Sequence, residues 1–93
     1  MDALPKYQEF IEPMIRVLCS AGKPLTNSEI EAGIINKLEI SNELATLIHS
    51  GKRTELQYRL AWARTKAKSS GFVSNPAREM WEVTTQGKSL FSA

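Results

Sequence analysis

One cysteine and one histidine in 93 residues leave little room for covalent or metal chemistry. Cys19 alone rules out an internal disulfide, which fits a reducing compartment. Its place in an apolar helical pattern suits an inert buried thiol. His49 has no second histidine beside it, so no metal ligand set is expected and a surface or helix-end position suits it better. No apolar run approaches ~18 residues, so no membrane span is expected. The opening ten residues lack a basic stretch followed by an apolar core and do not read as a secretory signal. There are no repeats, low-complexity stretches or linkers. No nucleophile with its base, phosphate loop or convergent set of titratable groups emerges, so catalytic residues and cofactors are expected to be none.

What is present is an ordinary globular composition, 42% hydrophobic and 24% charged, on a chain of one domain's length. Charge is distributed unevenly. Residues 1–51 carry four basic and seven acidic side chains, residues 52–93 eight basic and three acidic. Between positions 52 and 68, Lys52, Arg53, Arg59, Arg64, Lys66 and Lys68 face Glu55 alone. Positive charge concentrated on one element points to a polyanionic partner.

Apolar spacing divides the chain into elements. Tyr7, Phe10, Ile11, Met14, Ile15 and Leu18 predict a core-facing helix over residues 6–20, with Pro13 either in its first turn or kinking it. Thr26 with Glu29 reads as a capping box opening a second helix, buried through Ile30, Ile34, Ile35 and Leu38. Ser41 caps a short third helix through Leu44, Leu47 and Ile48, ended by residues 49–51. A fourth helix runs over residues 54–70, with Thr54 as its cap. At ~100° per residue, Leu56, Leu60, Ala63 and Ala67 face inward. Tyr58, Ala61, Thr65 and Lys68 face outward, with Gln57 and Trp62 on the flanks. Gly71 stops this helix. Residues 72–73 and 80–84 then read as two strands joined by a turn at 74–79, with Trp81 and Val83 covering the helices. Residues 86–93 carry no further element and end abruptly, as a domain cut from a longer chain would.

Helices followed by a β-hairpin, mainly α overall, are the layout of a winged helix-turn-helix, in which the helix before the hairpin enters the major groove of DNA. The most basic helix occupies that place. Lys52, Arg53, Lys68 and Arg78 suit phosphates, with Arg78 at the hairpin tip. Gln57, Thr65 and Asn75 suit polar contacts, and Tyr58 and Thr65 can sit against a pyrimidine 5-methyl group. Ala61 permits close approach. Trp62 packs against the first helix or the hairpin more readily than on a base. Arg59 suits a structural ion pair with Glu9 or Glu12 as well as a phosphate.

At this point the sequence resembles a known family over nearly its whole length: the N-terminal winged-helix domain of Mrr-type restriction endonucleases. The segment Tyr7…Phe10-Ile11-Glu12-Pro13 is similar to its opening helix. Ser50-Gly51, then Arg59, Trp62-Ala63 and Gly71, matches its central block. Arg78 with Trp81, Thr84 and Gly87 matches its closing W-x-x-T-x-x-G. The family favours Leu at Ala67 and Gly at Glu79, so this chain departs from it at both positions. The resemblance implies a module, residues 1–93, that recognises double-stranded, modified DNA, typically methylated and so including 5-methylcytosine. It also implies a nuclease domain behind it in the same parent chain and a bacterial or archaeal cytoplasm. The alternatives are a protein-interaction winged helix and a transcriptional-regulator-type DNA-binding domain.

Overall fold

The computed structural model describes residues 3–91; residues 1, 2, 92 and 93 of the expected domain lie outside the described residues. The chain opens with a 3-10 turn, Tyr7–Phe10, that runs directly into α1, Ile11–Ala21. Pro13 therefore lies in the first turn of α1, where a missing N–H costs nothing. Phe10, Met14, Ile15 and Leu18 are buried, while Tyr7 and Ile11 stay half-buried at the edge of the core. Cys19 is half-buried rather than buried, because it sits one step off this stripe.

Strand β1, Leu25–Thr26, leads to α2, Asn27–Leu38. The capping box forms as its residues dictate: the Glu29 N–H donates to Thr26 Oγ1 at 3.1 Å and the Thr26 N–H donates to Glu29 Oε1 at 2.8 Å. The second of these bonds holds the Glu29 carboxyl below its usual range. Ile30 and Ile34 point into the core, while Ile35 and Leu38, expected beside them, are half-buried against its edge. The helix ends on Glu39, which adopts a left-handed φ of 52° so that the Ile40 N–H can reach back to the Ile35 carbonyl at 3.0 Å.

The third helix is shorter than its apolar spacing suggests. α3 spans only Asn42–Ala45, capped by Ser41 Oγ, which accepts from the Leu44 N–H. Leu47 and Ile48, expected inside, are 49% and 63% exposed. Leu47 leads into, and Ile48 opens, a two-stranded ribbon of β2 (Ile48–Ser50) with β3 (Arg53–Thr54), turning at Gly51-Lys52. The local reason is a hydrogen bond of 2.7 Å from the Glu55 N–H to the Leu47 carbonyl. That bond folds the segment back onto the start of the next helix instead of letting α3 continue.

Helix α4, Glu55–Ser69, buries Leu56, Leu60, Ala63 and Ala67, the stripe read from the sequence. Its end is closed by Gly71 at φ 85°. The Gly71 N–H bonds the Lys68 carbonyl and the Phe72 N–H the Ala67 carbonyl, at 3.0 and 2.9 Å. β4, Val73–Ala77, and β5, Met80–Val83, then pair antiparallel. The connecting turn is only Arg78-Glu79, not the whole of 74–79, because residues 74–77 are in strand. The register shifts between Ser74 and Ala77, where Asn75 and Pro76 together face Trp81. Proline, lacking an N–H, fits such a bulge. β1 joins the far edge of β5, so the sheet runs β1-β5-β4.

The strand pair is not the last element. α5, Thr85–Phe91, follows it and packs on α1 and β5. Thr84 accounts for the helix: its Oγ1 accepts from the Gly87 N–H at 3.1 Å, an N-cap, and donates to the Gly71 carbonyl at 2.6 Å. A Cβ on Gly87 would collide with the Phe72 carbonyl and stand 2.8 Å from Val83 Cγ2. The spacing Thr84-x-x-Gly87 is thus a packing requirement. The described chain is mainly helical with two small antiparallel sheets. Among the described residues no helix is long and apolar enough to cross a membrane.

Glu39 holds a backbone conformation that costs an L-residue roughly 1–2 kcal/mol. Glu39→Gly relieves that strain and gives part of it back as unfolded-state entropy. The expected net gain is about 0.5–1 kcal/mol, visible as a rise of a few degrees in Tm. A fall in Tm would show that the Glu39 side chain contributes contacts of its own.

Candidate nucleic-acid interface

Three devices fix α4 in place before any ligand is considered. Its N-terminus has a second capping box: the Gln57 N–H donates to Thr54 Oγ1 and the Thr54 N–H to Gln57 Oε1, both at 3.1 Å. Gln57 Nε2 also donates to Glu31 Oε1 at 3.4 Å. Gln57, expected to be available to a partner, is therefore engaged at both ends of its amide. Arg59 anchors the helix to the N-terminal segment. Its Nη1 donates to the Leu4 and Pro5 carbonyls at 2.9 and 2.8 Å, and its Nη2 lies 3.7 Å from Glu55 Oε1. The expected partners Glu9 and Glu12 are not used. Glu12 instead meets Arg16, one helical turn on, at 3.3 Å.

Outside these anchors, Tyr58, Ala61, Thr65 and Lys68 line one side of α4. Thr65 and Lys68 are exposed, Ala61 and Tyr58 half-buried. Thr65 Oγ1 donates back to the Ala61 carbonyl at 3.0 Å, so its hydroxyl proton is used within the helix. Tyr58 is less free than its helical phase suggests. The His49 ring stacks on it at 3.8 Å with the planes 12° apart, and the Arg53 guanidinium lies over the same ring at 5.6 Å. His49 Nδ1 is in turn 3.0 Å from Glu55 Oε2. The β2–β3 ribbon thereby brings His49 and Arg53, both expected ahead of the fourth helix, onto the Tyr58 ring.

Trp62 is 50% exposed, with its ring 6.3 Å from that of Tyr7 and tilted by 46°. It meets the turn leading into α1 and leaves half its surface open. Lys52 stands exposed beside Gly51 in the ribbon turn, and Arg78 stands exposed in the β4–β5 turn. Asn75 supports that turn: its Nδ2 donates to the Ala77 carbonyl at 2.8 Å and also to the Met80 carbonyl. Glu79 completes the turn at φ 58°.

One basic residue outside the expected set belongs to this surface. Arg64 lies one step off the outward stripe, on the side of α4 that meets α2 and β5. It is half-buried, with its guanidinium 5.8 Å over the Trp81 ring. The Trp81 Nε1–H is fixed by Asn27 Oδ1 at 2.7 Å. Burial, and then the nearby Arg53 charge, pull the Arg64 pKa below its ordinary value, with Glu31 and Glu79 opposing. The signal in the sequence was its spacing of two turns from Gln57, which puts both on one flank. Among the described residues no three side chains of His, Cys, Asp or Glu gather as a metal site.

Arg59→Met keeps the aliphatic stem but leaves two main-chain carbonyls without a donor. It should cost about 1–3 kcal/mol, whereas Arg78→Ala at an exposed turn should stay within about 0.5 kcal/mol. Thermal melts ranking the two in reverse would refute the division into anchoring and free arginines.

A family model described as the Mrr N-terminal domain matches residues 7–93. No curated protein and no solved structure matches the chain.

Proposed function

The chain belongs to the Mrr N-terminal domain family, and on that premise we propose that it is a DNA-binding module with a winged-helix arrangement. In this reading α4 is the recognition helix, and the β4–β5 turn is the wing. The sheet order β1-β5-β4 and the place of α4 directly before β4 support it.

The observation that carries the proposal is the outer side of α4. Tyr58, Ala61, Thr65 and Lys68 include no acidic group, and the exposed Lys52 and Arg53 flank the helix start. Arg78 projects from the neighbouring turn. Lys52, Arg53, Lys68 and Arg78 neutralise phosphates. Ala61 brings the helix axis close to the groove floor, and the edge of the Tyr58 ring left open by His49 and Arg53, with the Thr65 methyl, faces base edges. Gln57, Arg59 and Asn75 hold these residues in position, and Trp62 flanks the track of the backbone. The partner is duplex DNA in the cytoplasm of a bacterium or archaeon, delivered to a nuclease domain of the same parent chain.

Four phosphate contacts at ~0.9 each give a slope of log K against log[salt] between about −3 and −4. Anisotropy titrations of a labelled duplex from low to moderate salt measure it. A flat response would favour a protein partner for this surface instead.

We also propose that the α4 face distinguishes modified from unmodified bases. A methyl group enclosed by Tyr58, Ala61 and Thr65 contributes ~0.8 kcal/mol, or about fourfold in affinity per modified base. Duplexes carrying cytosine, 5-methylcytosine, 5-hydroxymethylcytosine or N6-methyladenine in one sequence context test this. Equal affinity for all four would leave a sequence-tolerant DNA anchor.

A further inference from the structure

Three of the chain's five arginines have evident occupations. Arg16 pairs with Glu12, Arg59 binds two carbonyls and Glu55, and Arg78 is solvated at a turn. Arg53 and Arg64 differ. Among the described residues neither guanidinium has a carboxylate oxygen within 4.0 Å, and neither donates a hydrogen bond to another residue. Each is instead held by a ring face, Arg53 by Tyr58 and Arg64 by Trp81. Stacking on a ring orients a guanidinium while leaving its edge donors free.

Both arginines line one hollow of about 210 Å³ between the first turn of α2 and α4. Asn27 and Ser28 form its opposite wall, with Glu31 beside them. Gln57 Nε2 donates to the Glu31 carboxylate at 3.4 Å, drawing it toward Gln57. Arg64 is half-buried and Arg53 exposed at the rim; their like charges repel, an effect that the Glu31 carboxylate offsets in part and an entering anion would relieve further. The hollow is smaller than the ~300 Å³ at which small-molecule sites begin, and free guanidinium edges match phosphate oxygens.

We propose that Arg53 and Arg64 together grip a single phosphate oxyanion in this hollow, and that its source is one backbone phosphodiester of the bound duplex. The source rests on the DNA-binding reading above; the oxyanion site does not. Trp81 is then a positioning residue, tied to Asn27 and supporting Arg64 against the sheet. One phosphate thereby contacts α2, the β2–β3 ribbon and α4 at once, which sets the depth of α4 in the groove.

The test uses the 93-residue chain and its Arg53→Gln, Arg64→Gln and double variants, each checked for folding by circular dichroism. Two charges on one phosphate count as one contact. The double variant should therefore lower the salt slope by about 0.9 relative to the unmodified chain, against about 1.8 for two separate phosphates. Each single variant should weaken duplex binding several-fold. In parallel, NMR of the arginine Nε–H groups during titration with inorganic phosphate should shift Arg53 and Arg64 saturably, and leave Arg16 and Arg59 unmoved. Duplex binding with a slope unchanged in the double variant, or lowered by 1.8, overturns the shared site while the DNA reading stands. Phosphate shifts in a chain that fails to bind duplex overturn the DNA source and leave the oxyanion site. Absence of shifts with inorganic phosphate overturns the site itself.

Discussion

The fold turns on one junction, where the end of α4 meets the end of β5. Gly71 takes a left-handed conformation so that α4 can close on its own carbonyls, and Phe72 departs at once into β4. The Phe72 carbonyl accepts from the Thr84 N–H at 3.0 Å, and the Thr84 hydroxyl returns to the Gly71 carbonyl. Gly87 fits beneath Phe72 only because it has no side chain. Two short segments distant in sequence, Gly71-Phe72 and Thr84 to Gly87, thus fix the angle between the basic helix, the strand pair and α5. No hydrophobic contact alone could do this, since apolar burial is not directional.

That junction also explains how a sparse core suffices. Ala63 and Ala67 supply half of the buried stripe on α4 and little volume. Small side chains let the helix backbone approach the first helices closely, but the packing gain per residue is modest. Hydrogen-bonded closures at both ends of α4, the Thr54–Gln57 box and the Gly71 turn, contribute orientation where side-chain bulk is lacking.

On the surface, arginines of identical chemistry divide by neighbourhood. Arg59 is used up by carbonyls that have no other donor, and Arg16 by a carboxylate one helical turn away. Arg53 and Arg64 rest on aromatic rings and retain their donors. The arginines therefore differ in how much of their donor capacity the fold itself consumes. A count of basic residues treats all of them alike, whereas the half-buried Arg64 owes its environment to Trp81 and Asn27.

By itself, the sequence determined what is local. Periodic apolar residues placed α1, α2 and α4 with their buried faces, Thr26 with Glu29 announced a helix start, and Gly71 its end. Each rests on residues within about one or two turns of each other, where spacing and geometry are the same thing. Tertiary structure decided the rest. Leu44, Leu47 and Ile48 have helical spacing, yet a hydrogen bond between Leu47 and Glu55 leaves the last two exposed, with Ile48 opening a ribbon. Residues 85–91 lack a strong apolar period, and become helical through the cap that Thr84 offers once Gly71 is beside it. Tyr58 has an outward phase, but the ribbon lays His49 and Arg53 on its ring. In each case the deciding partner sits on another element, so its effect exists only after the chain has folded.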